Sequence, residues 1–285
     1  MPMIDRTAKL ALLLVVFAVA GALSALAGDA KPVEIERMTW IEVRDAVAAG
    51  KTTVIIPAGG TEQNGGHMVI GKHNMIIAET ARRTAQTLGD ALVAPVLAYV
   101  PEGDPAKREG NMAFPGTISL PDAVYEGVLE AAARSFKEHG FKTIVLMGDH
   151  GQTQVPQEAV AARLSKAWAS AGVRVMNARE YYGKNGGVAY LAGQGLDRAL
   201  FGTHAGIEDT AALMAIYPAG VRFDAYKPDA DGATGDARLA TAERGEQLLR
   251  LKVEAAVAEI KAAKSKPVQA EATGLFSRLY QMIFG

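Results

Sequence analysis

Short apolar segments alternate with helix-like segments along this chain of 285 residues, and this alternation leaves few possible folds. Strand-like runs rich in Val, Ile, Leu and Thr cover residues 53–56, 92–99, 143–147 and 173–176. Helical spacing or capping residues mark 39–49, 75–88, 121–139, 156–171, 205–217 and 239–264. Strands that alternate with helices indicate a parallel sheet with helices on both faces. We therefore predict an α/β fold, a three-layer α/β/α sandwich with a mostly parallel sheet.

The N-terminus has the pattern of an export signal. Arg6 and Lys9 precede an apolar run over residues 10–26, and small residues suited to a cleavage site end at Ala27. The run is short for a membrane span once its Gly and Ala content is counted, which favours a cleaved peptide over a retained anchor. We therefore predict that the protein is periplasmic or secreted.

Three segments follow from these patterns. Residues 1–27 are the predicted signal peptide, residues 28–266 fit one large α/β domain, and residues 267–285 form an amphipathic C-terminal segment. We expect the last segment to dock on the domain or to contact another subunit. Membrane contact is less favoured because Arg278 is its only basic residue.

Composition excludes several kinds of chemistry. The chain has no cysteine, so disulfides, thiolate metal ligands and a lipoprotein anchor are excluded. Without residues 1–27, it has 28 basic and 30 acidic residues, a formal charge of -2. A nucleic-acid partner is not expected, because the sequence shows neither a basic stripe nor a cluster of stacking aromatic residues.

Two glycine-rich loops directly follow strand-like runs and carry three of the five histidines. The first loop (residues 57–74) contains Glu62, His67 and His73, and the second loop (residues 148–153) contains His150. In an open α/β sheet, ligands bind outside the carboxyl ends of the strands. Imidazoles and a carboxylate at that edge predict a metal site.

Five segments, in the correct order, resemble the motifs of the creatininase (creatinine amidohydrolase) family. They are residues 57–67 (PAGGTEQNGGH), 114–120 (FPGTISL), 147–151 (MGDHG), 204–210 (HAGIEDT) and 232–245. The first is similar to the family's Pro-x-Gly-Ser-x-Glu-Gln-His-Gly-Pro-His, the second to Phe-Pro-Gly-Thr and the third to Asn-Gly-His-Gly. The fourth resembles His-Ala-Gly-Glu-x-Glu-Thr, and the fifth resembles the family's final signature. The resemblance implies a creatininase-like fold and a metal-dependent amidohydrolase.

The same resemblance implies a ligand set that is altered in this chain. In the family, the first loop supplies a Glu, a His two residues later and a metal-bridging Asp; the corresponding residues here are Glu62, Asn64 and His73. The family histidine of the second loop is His150, and Gln152 stands where creatininase itself has a Glu. A pair of metal ions normally uses a bridging carboxylate. We therefore predict one divalent metal on Glu62, His73 and His150, with zinc first and Mn or Fe as alternatives.

Further roles come from the matched positions. His204 stands where the family has a histidine that resembles a proton shuttle, a task that suits imidazole. Asp209 takes the place of the family's second Glu in that segment and is predicted to act with His204 as a catalytic residue. Outer-contact or substrate-binding roles are predicted for His67, Asn64, Gln152, Glu208 and Arg108. Arg108 belongs to the long loop (residues 101–116), where it could meet a substrate carboxylate.

Three hypotheses about function remain open from the sequence. The first is an exported amidohydrolase that cleaves a C–N bond of a small cyclic or linear amide, and by resemblance it forms a homo-oligomer, a hexamer. The second is a catalytically inactive metal- or small-molecule-binding protein on the same fold, which the missing bridging carboxylate supports. The third is redox or lyase chemistry at a single iron, because two histidines and one carboxylate can also hold Fe(II).

Overall fold

A computed structural model describes residues 32–268, and a four-stranded sheet lies at its centre. The strands are β1 (Thr53–Ala58), β2 (Ala91–Val93), β3 (Thr143–Gly148) and β4 (Arg174–Asn177). Every pairing in this sheet is parallel, and the order across it is β2-β1-β3-β4. All residues of the central strands β1 and β3 are buried, which explains why both read as continuous apolar runs.

Eight α-helices accompany the sheet within residues 32–268. They are α1 (Trp40–Ala48), α2 (Lys72–Leu88), α3 (Asp122–Glu138), α4 (Gln154–Trp168), α5 (Arg179–Gly183), α6 (Gly187–Gly193), α7 (Ile207–Ile216) and α8 (Ala242–Lys264). Thr39 begins α1 with a reciprocal capping box to Glu42, as its sequence position predicts. None of the described helices is both long and apolar enough to cross a bilayer.

Side chains of the strands alternate between two cores, one on each face of the sheet. Val54 points to the face where α1, α3 and α4 pack, with Leu129 among its neighbours in that core. Ile55 points to the opposite face, where Ile77 of α2 and Ile260 of α8 are buried. Each such side chain contributes about 1.5–3 kcal/mol through burial. The predicted three-layer α/β/α sandwich is therefore confirmed.

Two predicted elements differ from the structure. The strand expected over residues 92–99 ends at Val93, because Pro95 has no amide hydrogen for the ladder. Beyond it, only single bridges form, such as Ala58 with Leu97. The glycine-rich connection expected over residues 181–202 contains α6 and the end of α5, two helices too short for a periodicity signal.

The predicted segment boundaries remain predictions. Residues 1–27 lie outside the described residues, as does the segment 267–285 except for its first two residues. What the fold does establish is the position of the two loops. Ala58 at the end of β1 pairs with Gly148 at the end of β3, so the first and second loops leave the sheet side by side.

Candidate metal centre

Glu62, His73 and His150 form one cluster at the carboxyl edge of the sheet, here called the Glu-His-His cluster. Their ligand-type atoms all lie within 4.8 Å of one another, and all three residues are buried. Glu62 Oε1 is 2.8 Å from His73 Nε2, and Glu62 Oε2 is 3.2 Å from His150 Nε2. One carboxylate thus lies between two imidazole nitrogens, a donor set that can hold a divalent metal.

Local structure explains how the cluster assembles. His73 lies in the first turn of α2. This helix begins at Lys72, three residues before the start that the sequence predicts. The next residue, Asn74, accepts a hydrogen bond from Gly60 N at 3.0 Å and donates to Thr61 Oγ1 at 3.2 Å. The helix therefore clamps the loop just before Glu62. His150 follows β3 after one residue and is buried with it.

Asp149 fixes the orientation of His73. His73 Nδ1 donates to Asp149 Oδ2 at 2.9 Å, and the other oxygen, Oδ1, accepts from Tyr181 Oη at 2.7 Å and from Lys252 Nζ at 3.2 Å. Burial acts to raise the pKa of Asp149, but the Lys252 ammonium and the His73 bond hold it below its ordinary value. An ionised Asp149 keeps a proton on Nδ1, so Nε2 is the nitrogen directed at Glu62, as in carboxylate-histidine-metal triads.

His150 has a different carboxylate partner, Glu102 of the long loop. Glu102 Oε2 lies 3.1 Å from His150 Nε2, the same nitrogen that faces Glu62. Burial acts to lower the pKa of His150, yet its bonds to Glu102 and Glu62 raise it to about 9. Burial raises the pKa of Glu102, and the neighbouring Glu62 raises it further, while His150 opposes both. In the metal-free protein, a proton on His150 therefore compensates the two carboxylates.

Asn111 connects the two carboxylates. Its Nδ2 contacts Glu62 Oε2 and lies 3.2 Å from Glu102 Oε2. Its Oδ1 accepts from Gln63 Nε2 at 3.0 Å. This amide brings the long loop onto the first loop, so the long loop covers the cluster as expected for a loop of that length.

The cluster opens into a cavity of about 490 Å³, whose wall includes His204, Glu208, Asp209 and Gln152. His204 Nε2 lies 2.9 Å from both the main-chain oxygen and the side-chain amide nitrogen of Gln63, and its Nδ1 is 3.7 Å from Glu62 Oε1. Burial lowers the pKa of His204, so the imidazole is neutral near pH 7. The structure therefore brings His204 to the mouth of the cluster.

Asp209 accepts a hydrogen bond from the backbone next to His204 and has none with the imidazole of His204. Its Oδ2 accepts from Ala205 N at 2.8 Å, and its Oδ1 lies 3.0 Å from Lys72 Nζ. Ala205 has a φ of 53°, a left-handed conformation that this bond helps to hold. Glu208 reaches towards Lys252 Nζ, at 3.5 Å. Both acidic residues thus position neighbouring groups on the cavity wall.

The remaining predicted site residues lie further from the cluster. Asn64 is buried, and its Nδ2 donates to the main-chain oxygens of Glu62 and Val69 at 3.0 and 3.5 Å. His67 is buried beside Phe223 and Tyr226 and lies 3.0 Å from Thr210 Oγ1. Gln152 is exposed at the cavity, and its main-chain nitrogen lies 3.3 Å from His150 Nδ1. Arg108 is exposed on the long loop and does not line this cavity.

Sequence reasoning missed four residues of the centre: Glu102, Asn111, Asp149 and Lys252. Asp149 directly follows β3, so the rule that selected His150 also applies to it. Glu102 lies nine residues beyond the end of β2, on the long loop, where that rule gives no signal. Lys252 interrupts the apolar face of α8 beside Leu248 and Leu249, which is a signal for a buried counter-ion. Asn111 offers no signal, because its contacts depend on the path of the long loop.

The fold and this centre define an α/β protein with a metal-type cluster of histidine and carboxylate at the edge of a parallel sheet. The sequence model of the Creatininase family, described as creatinine amidohydrolase, matches residues 36–260. The chain belongs to the creatininase family, as its five motifs indicate.

Relatives agree with this membership. The chain is 35% identical over 120 residues to the creatinine amidohydrolase of Pseudomonas putida, covering 42% of this chain and 45% of the relative. It is 33% identical over 113 residues to the mycofactocin precursor peptide peptidase of Mycolicibacterium smegmatis, covering 38% and 43%. The matched stretches thus span less than half of either relative.

Solved structures match over a greater length. A point-mutant creatininase of Zn–Zn type superposes with a TM-score of 0.69 at 27% identity, covering 82% of this chain and 99% of that chain. Other creatininase structures that match are described as a Mn form and as a complex with creatine. The creatininase-like fold is therefore confirmed over most of the chain.

Proposed function

We propose that the chain is an exported, metal-dependent amidohydrolase that cleaves a C–N amide bond of a small cyclic or linear amide with one bound metal ion. The observation that carries the proposal is the Glu-His-His cluster, oriented by Asp149 and open to a cavity of about 490 Å³. Relatives in the family are named for amide hydrolysis. A cavity of this size suits a small molecule.

The donor chemistry fits a divalent ion. His73 has its Nδ1 committed to Asp149, so the lone pair of Nε2 is available when that nitrogen is deprotonated. Glu62 is fully buried, and both its oxygens face imidazole nitrogens. A divalent ion held by this set would supply Lewis acidity and an activated water. Zinc is the first expectation for two imidazoles and one carboxylate, with Mn and Fe as alternatives.

Two observations support one ion in place of two. His73 stands where the family's bridging Asp is expected, and an imidazole provides no carboxylate for a bridge. Its Nδ1 also bonds Asp149, which leaves only Nε2 for a metal. Asn64, in the position of the second ion's histidine, uses its amide nitrogen on main-chain oxygens.

His204 is the proposed proton carrier. Gln63 holds its imidazole at the mouth of the cluster, and burial keeps it neutral near pH 7, so it can accept a proton from the attacking water. As water adds to the carbonyl carbon and the C–N bond breaks, His204 returns that proton to the leaving nitrogen. Asp209 holds the backbone that carries His204. A catalytic proton carrier of this kind contributes about 10²–10⁴-fold.

Metal content is the decisive test. Purified protein, loaded with Zn²⁺ or Mn²⁺ and dialysed, should contain near one ion per chain by elemental analysis. It should release amine from members of a panel of small cyclic and linear amides. His204→Gln should lower kcat about 10²-fold or more while leaving metal content unchanged. Two ions per chain would contradict the one-metal proposal, and metal binding without turnover would favour the non-catalytic binding protein.

Export and assembly are further parts of the proposal. The N-terminal charge pattern and apolar run support a cleaved signal peptide. N-terminal sequencing of protein from a bacterial periplasm should begin at Gly28, and a start at Met1 would contradict export. Family resemblance supports a homo-oligomer, a hexamer, which light scattering of the mature protein would measure.

A further inference from the structure

We propose that Glu102 is a fourth protein ligand of the metal, which makes the centre a two-histidine, two-carboxylate site. This inference rests on the proposed metal-binding function and extends it. Glu102 has no counterpart among the motif residues, because it lies in the long loop, before the segment 114–120.

Position is the first observation. Glu102 Oε2 and Glu62 Oε2 approach the same atom, His150 Nε2, at 3.1 and 3.2 Å. Asn111 Nδ2 contacts oxygens of both carboxylates. Two carboxylates and an imidazole thus converge on one point, and His73 contacts the other oxygen of Glu62.

An unsatisfied oxygen is the second observation. Glu102 is 1% exposed, and its Oε1 has no hydrogen-bond partner within residues 32–268. A buried carboxylate oxygen without a partner is costly, so native proteins pair such groups or place them on metals. Asp149, the other buried acid of the centre, has Tyr181 and Lys252 as partners in addition to its histidine. Among the described residues Glu102 has no lysine or arginine partner, and it shares His150 with Glu62; a metal ion would supply the missing positive charge.

The backbone around Glu102 is built to hold the carboxylate in place. Its N–H donates to Ser119 Oγ at 2.9 Å, and Ser119 Oγ donates to the main-chain oxygen of Gly103 at 2.6 Å. A Cβ on Gly60 would lie 2.8 Å from Glu102 Oε1, and Gly60 has a φ of 145°, a conformation that other residues rarely adopt. Glycine at this position therefore gives the Glu102 carboxylate its room.

With a fourth protein ligand, the number of coordination positions left for substrate depends on the metal. Zinc with four protein ligands is the closed, structural arrangement, whereas catalytic zinc keeps one position free. Mn²⁺ and Fe²⁺ accept six ligands, and carboxylate-rich sites suit Mn²⁺. With Glu102 bound, an ion of this kind retains two positions for water and substrate. A fourth protein ligand would therefore place Mn²⁺ or Fe²⁺ ahead of zinc, which is the first expectation for three ligands.

The experiment compares three proteins: wild type, Glu102→Gln and the control Glu109→Gln, which changes an exposed acid on the same loop. Each is titrated with Mn²⁺ by calorimetry, and each is loaded with Co²⁺ for visible spectroscopy. Co²⁺ absorbs weakly with five or six ligands and several-fold more strongly with four. We expect Glu102→Gln to weaken Mn²⁺ binding about tenfold or more and to change the position or intensity of the Co²⁺ bands, because a neutral oxygen replaces a carboxylate, with Glu109→Gln matching wild type.

Every other outcome contradicts the fourth-ligand inference, the proposed function or both. Weaker Mn²⁺ binding with an unchanged Co²⁺ spectrum would show that Glu102 acts through His150 from outside the ligand set, and the inference would be wrong. Unchanged binding in Glu102→Gln would also overturn it, while the proposed function would stand. Failure of wild type to bind either ion would overturn both. Glu102→Asp, which keeps the charge, gives the same comparison if Glu102→Gln fails to fold.

Discussion

The two histidines of the Glu-His-His cluster each contact a second carboxylate besides Glu62, and these two carboxylates differ in their surroundings. Asp149, which bonds His73, also bonds a tyrosine hydroxyl and the ammonium of Lys252. Glu102, which faces His150, has the amide of Asn111 and one oxygen without a partner. One acid is fully satisfied by the protein and the other is not.

This difference separates orientation from ligation. A carboxylate whose charge is already compensated can hold an imidazole in one tautomer without approaching the metal. A carboxylate that shares its one cationic partner with a second acid, as Glu102 shares His150 with Glu62, gains most from the metal itself. In the position of Asp149 the family's motif has Gly, and in the position of His73 it has Asp. In this chain the acid therefore lies on the second loop, where it bonds the His73 imidazole.

Lys252→Met is expected to have the largest effect on this comparison. It leaves Asp149 as a buried charge without its counter-ion, and breaking such a pair costs about 3–5 kcal/mol. Urea denaturation should show that loss in the free energy of unfolding. Lys261→Met, on an exposed position of the same helix, is the matched control and should change stability by less than about 0.5 kcal/mol. Equal stability of the two variants would mean that Asp149 does not depend on Lys252.

The pH dependence of stability, measured without metal, should report the pairing of His150 with Glu102 and Glu62. The folded pKa of His150 is raised to about 9 from the ordinary 6.5. Its protonation therefore stabilises the fold fully below pH 6.5, and this contribution, about 3 kcal/mol, is lost as pH rises through 9. The free energy of unfolding should decline over that range in the presence of chelator. His150→Gln should remove that decline, and an unchanged slope in the variant would contradict the pairing with Glu102 and Glu62.

Asp149→Asn should weaken metal binding without changing the number of ligands. The amide keeps the size of the side chain but no longer enforces the Nδ1 proton of His73, and such outer contacts are worth about 10–100-fold in affinity. Calorimetry with Mn²⁺ measures the loss, and Co²⁺ spectroscopy should show the wild-type intensity. A spectral change equal to that of Glu102→Gln would remove the distinction between the two acids.

Much of the fold could be predicted from the sequence, because the central strands are buried on both faces and their helices are long. Residues 53–56 and 143–147 needed only one or two more residues each to match β1 and β3. The β2 prediction ran too far because apolar residues continue past Pro95, and composition does not reveal where hydrogen bonding stops. α5 and α6 have five and seven residues, too few for helical spacing to show.

The candidate centre was predictable only where one loop follows one strand. Glu62, His73 and His150 lie in the two loops that leave adjacent strands, and the structure brings them together. Glu102 and Asn111 reach the same point along a loop whose path depends on tertiary contacts such as Asn111 with Gln63. No local pattern encodes such a contact, so the carboxylate that distinguishes this centre was not predicted.

Tyr181→Phe should give the smallest change in unfolding free energy, because it removes only one of the hydrogen bonds to Asp149. The tyrosine hydroxyl is buried, donates to Asp149 Oδ1 and lies 2.9 Å from Thr80 Oγ1. Its removal should cost about 1–2 kcal/mol of unfolding free energy, since Lys252 and His73 still compensate Asp149. Tyr99→Phe, at an exposed tyrosine, is the control for loss of a hydroxyl. A loss as large as that of Lys252→Met would show that the hydroxyl, and not the ammonium, is the main partner of Asp149.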